Sequence, residues 1–244
     1  MEIQAGNQQG DPSPRASQRR DEIQPGAIRY FVLVPRLYSI LDASCFPDTT
    51  TMFHAAEELE LGGVTLLQYR NKSSNAREML DHARELKRRI GSRVRLIMND
   101  RADLCVAARF DGLHIGQDDL SPEAARRIIG NEFQGPDGRR HPRWLGVSTH
   151  NPEQLAEADQ TSADYLAIGP VFATSSKANT DPVVGLEGVR RARELTRKPL
   201  VAIGGITRAN CRSVIEAGAD SVAVISDLLR DPRKSAEEFL RILG

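Results

Sequence analysis

Charged side chains follow two apolar runs of this sequence at points where a strand end requires no charge for folding. One run ends at Met98 and is followed at once by Asn99 and Asp100, and Asp119 follows a second run. Neighbouring strands of a sheet lie about 4.8 Å apart, so Asp100 and Asp119 can reach the same ion. Two carboxylates, completed by water and phosphate oxygens, are a usual protein site for Mg²⁺. We therefore predict a magnesium site at Asp100 and Asp119, although capping of the next helix explains Asp119 equally well.

Basic side chains are expected near the same strand ends. Arg70 and Lys72 alternate along the end of the run 64–69, so both can point to one side, and Lys177 lies in the polar segment TSSKANTDPVVG. Arginine and lysine beside a metal ion describe a clamp for a pyrophosphate or a triphosphate. A loop lysine is more often only solvated, so Lys177 is included because of the strand end that it follows.

A second anion site is indicated further along the chain. Gly204 and Gly205 follow one apolar run, and Ile225 and Ser226 follow the next. Barrels of alternating strands and helices often bind phosphate there through backbone N–H groups, which glycine leaves accessible. A tight turn with positive φ accounts for one glycine but not for its pairing with Ser226. Two separate anion sites imply two phosphorylated substrates, or one substrate with a phosphate at each end.

The elements that must position these groups alternate between strand and helix patterns. Short apolar runs predict strands at 37–42, 64–69, 94–98, 111–115, 144–147, 164–168, 199–203 and 221–225. Helical patterns lie at 50–61, 74–90, 101–108, 121–130, 151–159, 185–197, 208–217 and 231–243. This order predicts an α/β fold, a single-domain (β/α)8 TIM barrel. An open doubly wound sheet is the alternative, but its G-x-G-x-x-G signature is missing after the first strand.

Seven of the eight predicted strand ends carry polar or glycine-rich groups. In a barrel, the loops that follow strands form one rim, and that rim holds the active site. The candidate site residues on this rim are Gln68, Tyr69, Arg70, Asn71, Lys72, Asn99, Asp100, Asp119, Ser148, Thr174, Ser175, Ser176, Lys177, Gly205, Ile225 and Ser226. One polar strand end is commonly a capped turn, whereas seven on one rim indicate a substrate site.

The bulk composition excludes several classes of protein. The 33 Lys and Arg residues balance the 33 Asp and Glu residues, so no basic face for nucleic acid is expected. The three cysteines lack CxxC spacing, which argues against a zinc site and a disulfide framework. No apolar run suits a signal peptide or a membrane span, so we expect a soluble, cytoplasmic protein without a membrane partner.

Two segments fall outside the barrel pattern. Residues 1–27 are rich in Gln, Pro, Ser, Gly and Arg and are predicted to form a disordered polar tail, which leaves 28–244 as the catalytic barrel. The stretch near 131–143 is arginine-rich and precedes the fifth predicted strand. We interpret it as a solvated insertion at the end of the barrel where catalysis is not expected.

Seven motifs in combination resemble those of the thiamine-phosphate synthases, over roughly residues 37–230. They are QYRNK, NDR, HIGQDDL, GVSTH, GPVFATSSK, AIGGI and VISD. That family has a (β/α)8 barrel and uses Mg²⁺ to condense 4-amino-2-methyl-5-hydroxymethylpyrimidine diphosphate with a thiazole phosphate, releasing pyrophosphate. The resemblance therefore implies small-molecule substrates and magnesium as the cofactor, and it leaves the oligomeric state open.

The resemblance also implies a role for each matching residue. The pyrimidine diphosphate would contact Gln68, Arg70, Lys72, Asn99, Ser148 and Lys177, of which Arg70, Lys72, Ser148 and Lys177 are the catalytic candidates. Mg²⁺ would be held by Asp100 and Asp119. The thiazole phosphate would be bound by Thr174, Ser175, Ser176, Gly205, Ile225 and Ser226. Ala173 and the two serines after Thr174 depart from the family pattern, which often has Pro and a Thr-rich stretch there.

Two other functions share parts of this pattern. A related thiazole tautomerase has the same barrel and phosphate site, and His150 could be its proton-transfer group. That enzyme would not need the QxRxK motif together with both acids. The other alternative is a non-catalytic barrel that senses or carries thiamine phosphates, and the intact metal pair and both anion clamps argue against it.

Overall fold

A closed barrel of parallel strands, ringed by helices, is formed by residues 32–135, 137–174 and 181–244, which are the residues that the computed structural model describes. The barrel strands are β1 Leu37–Asp42, β2 Leu66–Arg70, β3 Arg95–Asn99, β4 Gly112–Ile115, β7 Trp144–Thr149, β8 Tyr165–Ile168, β9 Leu200–Ile203 and β10 Ser221–Val224. Two short strands, β5 Glu132–Gln134 and β6 Arg140–Pro142, form a separate hairpin. The predicted tail, 1–27, lies outside the described residues.

The helices follow the strands in regular alternation. They are α1 Thr49–Leu61, α2 Ala76–Ile90, α3 Ala102–Ala107, α4 Pro122–Ile129, α5 Pro152–Asp159, α6 Gly185–Leu195, α7 Cys211–Glu216 and α8 Pro232–Leu243. Several begin after a capping side chain: Asn151 Oδ1 accepts the N–H of Gln154 at 2.9 Å, just before Pro152. None of the helices within the described ranges combines the length and the apolar composition that a bilayer crossing requires.

The barrel closes because its first and last strands pair. The spatial order is β1-β10-β9-β8-β7-β4-β3-β2, and Leu37 of β1 lies opposite Val222 of β10. Every neighbouring pair in this ring is parallel. The predicted (β/α)8 barrel is therefore confirmed, and the open doubly wound sheet is excluded. We call the end of the barrel where strands finish the upper rim, and the end where they start the lower rim.

Alternation along the strands divides the core into two layers. In β2, Leu66 packs with residues that fill the barrel, whereas Leu67 and Tyr69 pack in the layer between strands and helices. Successive side chains of a strand point to opposite faces, so Gln68 and Arg70 share the inward side with Leu66. The same rule places Ser148 of β7 on the inward side, two residues after Gly146.

The lower rim is held by a repeated clamp in which an aspartate bridges a basic side chain and a backbone N–H. The three aspartates and their basic partners are Asp111 with Lys87, Asp164 with Arg126, and Asp220 with Arg193. Each aspartate also accepts the N–H of a residue on the preceding barrel strand, from Leu96, Leu145 and Leu200 respectively, at 2.7–2.8 Å. These clamps satisfy strand-end donors that would otherwise be buried without a partner.

The stretch near 131–143, predicted as a solvated insertion, contains the hairpin of β5 and β6. Phe133 of β5 lies opposite His141 of β6, and the Arg143 guanidinium lies 5.0 Å from the Phe133 ring centroid. Arg95 Nη1 donates to the carbonyl oxygen of Pro142 at 3.4 Å. Because Arg95 begins β3, the hairpin is attached at the lower rim, away from the predicted site.

Asp111→Ala tests the clamp as a source of stability. Its loss leaves the Leu96 N–H buried without an acceptor and removes the partner of Lys87, so we expect the free energy of unfolding to fall by about 2–4 kcal/mol. Urea unfolding followed by circular dichroism measures this change. Glu237→Ala, which removes an exposed partner of Arg233, is the matched control and should have little effect. Equal losses of unfolding free energy in the two variants would show that the clamp stabilises the fold no more than an exposed salt bridge does.

Candidate active site

The two predicted metal ligands lie together at the upper rim. Asp100 follows β3 with a left-handed backbone (φ 61°), and its N–H donates to the carbonyl oxygen of His114 at 2.8 Å. Its carboxyl group faces that of Asp119 within hydrogen-bond reach. Asp119 Oδ2 also accepts the N–H of Gly116 at 2.8 Å. We call Asp100 and Asp119 the carboxylate pair.

The carboxylate pair is electrostatically unfavourable without a cation beside it. Burial is the largest cause that raises the pKa of Asp100, and the facing Asp119 carboxylate raises it further. Lys72 acts in the opposite direction, because its ammonium group contacts Asp100 Oδ2 and lowers the pKa. A lysine predicted to bind a diphosphate thus lies directly beside the two acids.

Helix capping, the alternative role for Asp119, is excluded by the start of α4. That helix is capped by Ser121, whose Oγ accepts the N–H of Ala124 at 3.2 Å. Helix α3 begins after Arg101, which makes no side-chain capping bond. Neither member of the carboxylate pair therefore owes its position to a helix cap.

Arg70 is held by an acid that the sequence analysis did not include. Its guanidinium forms a salt bridge with Asp42 at the end of β1, whose side chain is only 3% exposed. Asp42 Oδ1 accepts the N–H and the hydroxyl of Ser44 at 3.0 and 2.7 Å. An acidic residue at the end of an apolar strand was the available signal, because Asp42 is the last residue of β1.

Three predicted substrate-binding residues line the mouth of the barrel. Gln68, Asn99 and Ser148 are all buried and lie on inward-facing strand positions. In the sheet register, Asn99 lies opposite His114, so the mouth is bordered by β2, β3, β4 and β7. The loop after β4 supports this arrangement, because Gln117 Nε2 donates to the carbonyl oxygen of Ser148 at 2.6 Å.

Two other predicted residues are not brought into this group. Tyr69 is fully buried on the helix side of β2, where its hydroxyl lies 2.9 Å from His82 Nδ1. Asn71 is occupied within its own loop: its amide donates to the Tyr69 and Ser74 hydroxyls at 3.0 and 2.9 Å, and Oδ1 accepts the Ser73 N–H. Both residues support the loop that carries Lys72 rather than face the mouth.

A cavity of about 80 Å³ lies beside the mouth, at the ends of β8, β9 and β10. Four of the predicted thiazole-phosphate residues line it: Thr174, Gly205, Ile225 and Ser226. Gly204 and Gly205 both have positive φ, 100° and 63°. A Cβ on Gly205 would lie 2.6 Å from the carbonyl oxygen of Ala173, so this close approach requires glycine.

His150 and Asp181 also line this cavity. His150 Nδ1 lies 2.7 Å from the carbonyl oxygen of Gly169 and 3.3 Å from Asp181 Oδ2. Asp181 was not singled out in the sequence, where nothing marks it apart from the other charges of a polar segment. The remaining predicted residues, Ser175, Ser176 and Lys177, lie outside the described residues.

The carboxylate pair fits a hard divalent cation. Within 32–135, 137–174 and 181–244, no group of three or more His, Cys, Asp or Glu side chains could hold a metal ion. A cation at the upper rim would therefore rest on two carboxylates, with water or substrate oxygens as its other ligands. Mg²⁺ commonly binds in this way, whereas zinc requires three or four protein ligands.

Comparison with known proteins gives one consistent result. Residues 37–228 match the family model described as thiamine monophosphate synthase. The thiamine-phosphate synthase of Koribacter versatilis (strain Ellin345) is 63% identical over 213 residues, which are 86% of this chain and 96% of that relative. The thiamine-phosphate synthase of Chloroflexus aurantiacus is 41% identical over 214 residues, 85% of this chain and 92% of that relative.

A solved structure agrees with these relatives. The thiamine phosphate pyrophosphorylase from Pyrococcus furiosus superposes with a TM-score of 0.73 at 32% identity, covering 85% of this chain and 95% of that chain.

A double-mutant cycle on Asp42 and Arg70 tests whether the salt bridge holds the arginine. Asp42→Asn should lower the free energy of unfolding by about 2–4 kcal/mol, because it leaves a largely buried guanidinium without its counter-charge. Combining it with Arg70→Gln should give a coupling of about 1–3 kcal/mol in urea unfolding. The exposed pair Glu187 and Arg190 provides the control cycle, with weak coupling. Additive effects at Asp42 and Arg70 would contradict the assignment.

Proposed function

This chain belongs to the thiamine monophosphate synthase family, and we propose that its upper rim condenses 4-amino-2-methyl-5-hydroxymethylpyrimidine diphosphate with 4-methyl-5-(2-phosphoethyl)thiazole. The products are thiamine phosphate and pyrophosphate. The chain is thus an enzyme of thiamine biosynthesis, a transferase of a non-methyl alkyl group. Its cytoplasmic location and the disorder of 1–27 stay predictions, and its oligomeric state stays open.

The observation that carries this proposal is the presence of two unlike anion sites on one rim. The carboxylate pair with Lys72 suits a diphosphate that brings a divalent cation. Among the described residues, the cavity at Gly205 and Ser226 has glycine backbone and a hydroxyl, and Asp181 is its single carboxylate. It therefore suits a phosphate monoester without a metal. The reaction needs both, since one substrate carries a diphosphate and the other a monophosphate.

Asp100 and Asp119 would hold Mg²⁺, and Lys72 would then be released to the diphosphate. When bound, Mg²⁺ supplies positive charge next to the leaving group and orients its oxygens. Arg70 and Lys72, with Lys177, stabilise the negative charge that grows on the departing pyrophosphate. Asp42 keeps the Arg70 guanidinium at the end of β2 while this charge develops.

Bond breaking and bond making balance without an acid or base. The bond between the pyrimidine methylene carbon and the diphosphate oxygen breaks, and its electron pair leaves with pyrophosphate. The aminopyrimidine ring delocalises the positive charge on that carbon, and the lone pair of the thiazole nitrogen then forms the new carbon–nitrogen bond. Gln68, Asn99 and Ser148 hold the pyrimidine in the mouth, so the carbon faces the neighbouring cavity.

The thiazole phosphate is assigned to the cavity lined by Thr174, Gly205, Ile225 and Ser226, with Ser175 and Ser176 as further contacts. The apolar side chain of Ile225 faces the ring, and the Ser226 hydroxyl and the Gly205 backbone face the phosphate. This orientation directs the ring nitrogen towards the barrel mouth.

Pyrophosphate release tests the proposal against its two rivals. The chain with Mg²⁺ should release pyrophosphate only when both substrates are present. Conversion of a thiazole tautomer without release would favour a tautomerase that uses His150. Binding of both ligands without turnover would favour a carrier, and either result would overturn the synthase proposal.

Asp119→Asn tests the carboxylate pair. Removal of one charged ligand should lower kcat by about 100-fold or more and raise the Mg²⁺ concentration that gives half-maximal rate. Asp118→Asn, at the exposed neighbouring position, is the matched control and should change neither value. An Asp119→Asn enzyme with unchanged turnover and unchanged magnesium dependence would refute the metal assignment.

Gly205→Ala tests the cavity. The added Cβ meets the Ala173 carbonyl oxygen and disfavours φ of 63°, so KM for the thiazole phosphate should rise about 10-fold or more. The KM for the pyrimidine diphosphate should change little. Gly138→Ala introduces a Cβ at a similar φ of 75° in open space on the hairpin, and its kinetics should match those of the unaltered chain. Equal effects on both KM values in Gly205→Ala would argue against a separate thiazole site.

A further inference from the structure

A continuous line of hydrogen bonds crosses the barrel interior just below the upper rim. Gln68 Nε2 lies 2.9 Å from the Tyr38 hydroxyl, which lies 2.9 Å from the Tyr165 hydroxyl. The Tyr165 hydroxyl lies 3.1 Å from His114 Nδ1, and His114 Nε2 lies 2.8 Å from Ser148 Oγ. All five side chains are buried. We call this line the hydroxyl chain.

The packing around the hydroxyl chain fixes these partners. The rings of His114 and Tyr165 are stacked at 5.6 Å, and Tyr38 meets Tyr165 edge to face at 6.0 Å. Gly146 leaves room for them: a Cβ there would lie 2.1 Å from Tyr165 Cζ and 2.5 Å from His114 Nδ1. Burial also raises the pKa of Tyr38 and of Tyr165, so both hydroxyls keep their protons.

The donor at one end sets the direction of every bond. The Gln68 amide donates to the Tyr38 oxygen, so the Tyr38 proton goes to Tyr165, its only other hydrogen-bond partner among the described residues. The Tyr165 proton then goes to His114 Nδ1. A neutral imidazole with an accepting Nδ1 carries its proton on Nε2, and this proton is donated to Ser148 Oγ. The Ser148 O–H is therefore left to point away from the chain.

We propose that Tyr38, Tyr165 and His114 are positioning residues that commit the Ser148 hydroxyl to donate towards the substrate in the barrel mouth. The chemical partner is an acceptor, such as a pyrimidine ring nitrogen. The amide donor of Gln68 is used by Tyr38, so its oxygen is presented as an acceptor for an amino group. The substrate named in this inference rests on the proposed function, whereas the direction of the hydroxyl chain does not.

This arrangement of one donor, Ser148, and one acceptor, the Gln68 oxygen, predicts selectivity between two pyrimidines of the same shape. A 4-amino pyrimidine offers an amino donor and ring-nitrogen acceptors, which match an accepting Gln68 oxygen and a donating Ser148. A 4-oxo pyrimidine carries a carbonyl acceptor and a ring N–H instead. A site with fixed buried donors and acceptors rejects the reversed pattern, because its polar groups are left unpaired.

The first test is the tautomer of His114 in the protein without substrates. In ¹⁵N NMR of histidine-labelled protein, the ring proton of His114 should be on Nε2. The resonance is identified by its loss in His114→Asn. A proton on Nδ1 would overturn the inference, because the chain would then run in the opposite direction and Ser148 would donate to the ring. The tautomer of His114 does not depend on whether the protein is a synthase.

The second test breaks the hydroxyl chain away from the substrate. Tyr165→Phe should remove the preference for the Nε2 tautomer and lower kcat/KM for the 4-amino pyrimidine diphosphate about 10-fold. Discrimination against the 4-oxo analogue should fall by a similar factor. Tyr38→Phe leaves the His114 contacts in place and should also lower kcat/KM and the discrimination. It replaces Tyr165→Phe as the test if that variant does not fold.

Thr196→Val provides the matched control, since the buried Thr196 hydroxyl is hydrogen-bonded to Asp159 and is not part of the hydroxyl chain. It should leave both the tautomer and the discrimination unchanged. Unchanged discrimination in folded Tyr165→Phe and Tyr38→Phe would overturn the positioning role. An unaltered chain that releases no pyrophosphate would instead refute the proposed function, with the tautomer result still standing.

Discussion

The interior of an eight-stranded barrel has room for few side chains at each level, and every second strand residue must point into it. Near the lower rim this space is filled by apolar groups such as Trp144. Near the upper rim it contains amide, hydroxyl and imidazole groups, which cannot be left unpaired away from water. Gln68 and Ser148 are linked by such groups across the barrel. The same restriction that closes the core therefore orders the polar groups that face the substrates.

The two rims use aspartate in opposite ways. On the lower rim, Asp111 accepts a strand N–H and pairs with Lys87, so its charge is matched by built-in donors. On the upper rim, Asp100 has a left-handed backbone and faces Asp119, so burial and like charge work against its ionised form. Stability is supplied at one end of the strands. At the other end Lys72 offsets only part of the burial and the like charge, so a further cation would stabilise the carboxylate pair.

The barrel was largely predictable from local pattern, and all barrel strands begin and end within two residues of their predicted bounds. The carboxylate pair could also be predicted from the sequence, since its prediction needs only the rule that parallel strands end on one rim. Arg70 was included but its partner Asp42 was missed, because which basic side chain a strand-end acid binds depends on side-chain placement across β1 and β2. Tyr69 was included although period-two alternation from Gln68 places it outward. The hydroxyl chain depends on register between β4, β7 and β8, which one sequence does not encode locally.

The β5–β6 hairpin shows how separate the two ends of the barrel are. It is attached through Arg95 and Arg143 at the lower rim, and Gly138 in its turn has no heavy atom within 4 Å of an added Cβ. This turn is a suitable place to join the protein to a reporter, an affinity label or a solid support. An attachment there would leave the substrate entrance open to solvent, which suits the molecule to immobilised synthesis.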